Sequence, residues 1–72
     1  MSFFTIKNIL VNEYPNYGPY RIYKKVIELI RDQQTADRFM LSNHGGFTKG
    51  ELNKIKYDIE YRKYRYRKNP PS

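Results

Sequence analysis

Tyr57, Tyr61 and Tyr64 recur at i, i+4 and i+7 near the C-terminal end of this 72-residue chain, with Lys54 and Lys68 flanking them. Arg62, Lys63, Arg65, Arg67 and Lys68 follow closely and, at 100° per residue, point in nearly all directions around a helix axis. Tyrosine offers large contact area, a hydrogen-bonding hydroxyl and little rotamer entropy to lose, so it is enriched at interfaces. Interleaved with arginine, it forms a surface that stacks on bases and grips phosphates. Such a helix end fits a major groove with phosphates on both flanks. Each neutralised phosphate would release counterions, which makes binding steep in salt. Two plainer readings stand beside this one. The rings could be core in a domain with few other large side chains, and the cations could be a disordered solubilising tail.

A second basic surface lies upstream. Arg21, Lys24, Lys25 and Arg31 share one side of a helix and extend the same patch, unless Glu28 and Asp32 compensate them. Asn43-His44-Gly45-Gly46 reads as a helix stop, glycine being the residue that tolerates positive φ after a helix. The alternative is a small nest of backbone amides for a phosphate, although the run matches no phosphate-loop pattern.

Catalytic chemistry has little to work with. The chain has no cysteine and one histidine, His44, which removes disulfides, thiolate zinc sites and a thiol nucleophile. No nucleophile has a base beside it in sequence, and the acidic residues read as helix-surface partners of lysine and arginine. The expectation is a binding protein rather than an enzyme, with no cofactor and no metal.

The elements that must position these residues are helical. Ser2 is a good N-cap for a first helix to about Glu13, with Phe3, Ile6, Leu10 and Tyr14 as its buried stripe. Tyr14-Pro15 ends it, because a residue before proline is pushed out of the α region. Pro19 suits the first position of a second helix. Ile22, Tyr23, Val26, Ile27, Leu29 and Ile30 fill one half of that helix, and Arg21, Lys24, Lys25, Glu28, Arg31 and Asp32 the other. Thr35 could cap a short third helix from Ala36 to about Ser42, with Phe39, Met40 and Leu41 giving apolar contacts. A short hairpin within 33–48 is the alternative there. Thr48-Lys49-Gly50-Glu51 matches a capping box, opening a fourth helix to about Arg67 whose core face is Leu52, Ile55 and Ile59. Asn69-Pro70-Pro71-Ser72 reads as a frayed end.

Composition frames the rest. One domain, residues 1–68, is all that this length allows, and a chain so short buries only about 60% of the surface it exposes unfolded. A homodimer is attractive, since two basic helices could span successive grooves. The net charge is +7, distributed as +2 over residues 1–36 and +5 over residues 37–72. A field concentrated at one end attracts polyanions better than the same charge spread evenly. The N-terminus lacks the pattern of a signal peptide and no run is long enough to span a bilayer, so the chain reads as soluble and cytoplasmic, with no membrane partner.

The run Ile9 to Tyr23, with its Tyr17-Gly18 turn and Ile22 in the following helix, resembles the opening of PadR-type winged-helix regulators. The resemblance covers roughly residues 6–30 and implies a DNA-binding, helix-turn-helix fold. No recognition-helix pattern or two-stranded wing follows it. The short, basic, cysteine-free composition, rich in Lys, Asn, Ile and Tyr, also resembles small bacteriophage proteins, which are often DNA-binding regulators or antirepressors.

The expectation is therefore an all-α bundle of three to four helices, helix-turn-helix-like, with a long C-terminal helix crossing an antiparallel pair made by the first two. Its leading function is DNA-binding transcription regulation, DNA ahead of RNA. Lys54, Arg62, Lys63, Arg65, Arg67, Lys68, Arg21 and Lys25 would hold the nucleic acid. The alternative is a protein-binding module, an antirepressor or inhibitor of a protein such as a repressor, docking through Tyr57, Tyr61 and Tyr64.

Overall fold

The computed structural model describes the backbone of residues 1–68 and the side chains of residues 1–61. Four helices follow one another: α1 (Phe3–Glu13), α2 (Pro19–Ile30), α3 (Gln33–Leu41) and α4 (Lys49–Lys68). Among the described residues there is no strand. The segment 33–48, open to a hairpin on sequence grounds, is α3 and the loop after it.

Local chemistry sets most boundaries. The Ser2 hydroxyl accepts a hydrogen bond from the Thr5 amide at 3.1 Å, satisfying one donor that the first turn leaves unpaired. Tyr14 leaves the helical region and its amide donates back to the Leu10 carbonyl, with Pro15 preventing continuation. Gly18 is the N-cap of α2 and Pro19 its first residue. At the other end of α2, Arg31 adopts the left-handed conformation at φ 63°, a position that usually goes to glycine.

The start of α3 departs from the sequence reading. Asp32, assigned above to the polar side of α2, is the N-cap, and its carboxylate accepts from both the amide and the hydroxyl of Thr35. Thr35 lies one turn inside α3 as the donor, not the cap. A charged acceptor facing the positive end of a helix is favoured there, and these bonds hold the Asp32 carboxyl below the usual aspartate range.

Ile6, Leu10, Tyr23, Val26, Ala36, Phe39, Met40, Leu52 and Ile55 form the buried core, with Phe3, Tyr14, Ile22, Ile27, Leu29, Ile30, Phe47 and Ile59 packed at its margin. The Phe3 and Phe39 rings meet edge to face at 5.3 Å, a favoured arrangement for aromatic quadrupoles. Leu41, expected to add an apolar contact, is 45% exposed. Helix α2 is the hub: α3 packs most extensively against it, α4 packs on both α2 and α3, and α1 lies against α2. Helix α4 thus packs on α2 as expected, while its second main partner is α3 where α1 was expected. Apolar stripes identify which face of a helix is buried but not which neighbour covers it.

The α3–α4 loop is built around Ser42. Its hydroxyl donates to the Phe39 carbonyl at 2.6 Å and accepts from the His44 and Gly45 amides. The Gly46 amide donates to the Ser42 carbonyl and the Phe47 amide to the Met40 carbonyl. These amides therefore point into the loop, and the phosphate nest considered above does not form from them. Gly46 takes φ 72°. Gly45 is required for another reason: a Cβ there would lie 2.3 Å from the Phe39 carbonyl oxygen and 2.6 Å from Met40 Cα. The loop can lie against α3 only without a side chain.

Candidate nucleic-acid interface

The first half of α4 is an anchor. Glu51 accepts from the Thr48 amide at 2.8 Å, and the Glu51 amide donates to the Thr48 hydroxyl at 3.1 Å. This reciprocal pair is the capping box read from the sequence. One turn on, Leu52 and Ile55 are buried and Ile59 is half-buried, as their spacing requires.

A polar chain the sequence did not reveal reinforces that anchor. The Tyr23 hydroxyl on α2 donates to Asp37 Oδ1 on α3 at 2.5 Å, and Lys56 Nζ on α4 donates to Asp37 Oδ2 at 2.6 Å. One carboxylate thus ties three helices together. Burial, followed by the Asp37 hydrogen bond and its negative charge, pushes the Tyr23 phenol well above the usual tyrosine range. A phenol that holds its proton and donates it to a carboxylate serves as a clamp, not as a general base. Asp37 and Lys56 are separated by nineteen positions. Periodicity within one helix carries no signal of such a pairing.

Beyond Lys56 the helix changes character. Tyr57 is 68% exposed and Tyr61 51% exposed, so these two rings are not core. Their centroids are 6.4 Å apart with planes inclined by 16°, a stacked pair one turn apart on the outer face. Lys54 is exposed nearby on the same side by helical angle. Glu60 and Tyr61 are both exposed, and the helix backbone continues seven residues past them, to Lys68. At 1.5 Å per residue, the stretch after Ile59 is about 14 Å long. The molecule is correspondingly elongated, 46 × 24 × 21 Å. Arg62, Lys63, Tyr64, Arg65, Arg67 and Lys68 ride on this helical backbone, while their side chains lie outside the described residues. The end read above as frayed, residues 69–72, also lies outside them.

The upstream cations form a cluster of their own at the α1–α2 junction. Lys25 is held by Glu28 at 3.1 Å, lies 4.8 Å from the Tyr14 ring centroid and is only 17% exposed. Its ammonium is therefore already engaged by a carboxylate and a ring within the chain. Arg21 is exposed and lies 5.8 Å from the Tyr17 ring centroid, and Lys24 lies 5.5 Å from that of Tyr20. The Tyr14 and Tyr17 rings lie 4.8 Å apart with their planes tilted by 37°. Cation–π contact of this kind leaves the outer side of each cation accessible.

Among the described residues, no group of three or more His, Cys, Asp or Glu is placed to hold a metal ion. No described helix is long and apolar enough to cross a membrane. No family model, no curated protein and no solved structure gives a significant match to the chain.

Proposed function

We propose that this chain is a small DNA-binding regulator that grips the phosphate backbone with the outer half of α4. The observation that carries the reading is the contrast along that helix. Its core contacts run to Ile59, its last described side chains are exposed, and its remaining turns hold Arg62, Lys63, Arg65, Arg67 and Lys68. Five cations in seven residues on a helical rod form a local field that draws and holds a polyanion. Lys54, on the same side as Tyr57 and Tyr61, extends the contact inward, and Arg21 is a more distant candidate.

The triple variant Arg65→Ala/Arg67→Ala/Lys68→Ala tests it. For a labelled 20-base-pair duplex followed by anisotropy across a salt series, the plot of log affinity against log salt should flatten by up to about 0.9 per lost phosphate contact. An unchanged slope removes α4 from the interface. A protein-binding module is the second reading, favoured by the area that Tyr57 and Tyr61 offer. In that case Tyr61→Ala abolishes capture of the partner at any salt, whereas loss of the charges mainly slows association.

A further inference from the structure

We infer that Tyr57 and Tyr61 form a stacking site for unpaired bases, so that the nucleic acid held by α4 is single-stranded at this point. The inference rests on the reading above and deepens it. In a duplex the faces of the bases are already covered by their neighbours, and a protein ring gains little by lying beside them. An unpaired base has a bare π-face, and stacking on an aromatic side chain is the main sequence-tolerant way of holding it.

The two tyrosines are arranged for that contact. They are 68% and 51% exposed, their planes differ by 16°, and they lie on the side of α4 opposite Leu52 and Ile55. Lys54 sits one turn before the pair, and the cation run begins at Arg62, directly after Tyr61. A strand whose bases lie on the rings would thus have cations on both sides for its phosphates. Asp58, half-buried, and the exposed Glu60 flank the rings on either side by helical angle. Carboxylates there repel phosphate, so the backbone is expected to pass over the ends of the site while the bases occupy its centre.

The test uses the full chain with a labelled dT20 oligonucleotide, a 20-base-pair DNA duplex and rU20, each at the same ionic strength. The chain has no tryptophan and eight tyrosines, so quenching of tyrosine fluorescence provides a second readout of stacking. We expect dT20 or rU20 to bind at least about tenfold more tightly than the duplex. Tyr57→Ala and Tyr61→Ala should each weaken single-strand binding by about five- to hundredfold and lower the ratio of single-strand to duplex affinity, whereas Tyr61→Phe, which keeps the ring, should bind like the parent. Preference for rU20 over dT20 keeps the stacking site and assigns it to RNA. Equal binding of duplex and single strand, with no effect of either alanine, overturns the site while leaving α4 as a phosphate-binding element. Binding of none of the three polymers overturns both this inference and the function it rests on. Both rings are exposed, so far-UV circular dichroism is expected to show the alanine variants folded; a lost helical signal in Tyr57→Ala transfers the decision to Tyr61→Ala.

Discussion

The two halves of α4 belong to one helix, yet they answer to different demands. From Lys49 to Lys56 the helix is capped by Thr48 and Glu51, buried through Leu52 and Ile55, and tied to α2 and α3 through Asp37. From Tyr57 to Lys68 the described aromatic side chains face outward, and five cations outnumber the two carboxylates Asp58 and Glu60. A helix of this length does not need tertiary contacts along its whole course: nucleation is the costly step, and propagation adds one hydrogen bond for each residue fixed. The anchored half supplies the nucleus. The outer half then continues as a helix to Lys68. The turns that hold the fold and the turns we propose for recognition are thereby different parts of one element.

The largest effect that would test this division is on the anchor. Leu52→Ala should cost about 2–5 kcal/mol, a large share of the roughly 4–11 kcal/mol expected for a domain of this size. Loss of a cooperative thermal transition by circular dichroism would be the sign. Next comes the polar clamp. Asp37→Ala leaves the buried Tyr23 hydroxyl without its acceptor and Lys56 without its partner, and should cost about 1–3 kcal/mol. At about 4–8 °C of melting temperature per kcal/mol the shift is readily measured. The same clamp has a pH signature. The folded state favours the protonated Tyr23 phenol, so its contribution is complete below the ordinary tyrosine range and declines as pH rises past it. Tyr23→Phe should lower the stability measured in urea at neutral pH by about 1 kcal/mol and flatten its fall as pH rises above the ordinary tyrosine value of about 10. A parent and a Tyr23→Phe variant with parallel alkaline losses would show the clamp to be unimportant. The smallest effect sharpens the contrast from the other side. The triple charge variant at 65, 67 and 68 should leave stability within about 0.5 kcal/mol of the parent, although it changes the salt slope. A destabilisation above 1 kcal/mol would mean that the outer half also supports the fold.

The sequence disclosed what is local. Ser2, Pro19 and the Thr48–Glu51 pair act within one turn of themselves, so their roles could be read without knowing the fold. Paired helix faces were legible as well, because a period of 3.6 residues is a property of one segment. The start of α3 was misplaced because Asp32 and Thr35 are both cap residues three positions apart, and only the backbone at Asp32, φ −148°, shows which one stands outside the helix. The neighbour of α4 and the Tyr23–Asp37–Lys56 chain depend on how helices are brought together, which no single-segment pattern contains. The same holds for Gly45: its spacing suggested a helix stop, while its actual constraint is the distance to the α3 backbone. For Tyr57 and Tyr61, exposure removes the core reading that periodicity had left open.

The 6.4 Å tyrosine pair brackets Ile59, the last described residue of α4 packed against the core. Lineages of such a chain should therefore keep positions 52, 55 and 59 apolar while the exposed positions between them, such as Asn53 and Lys54, vary.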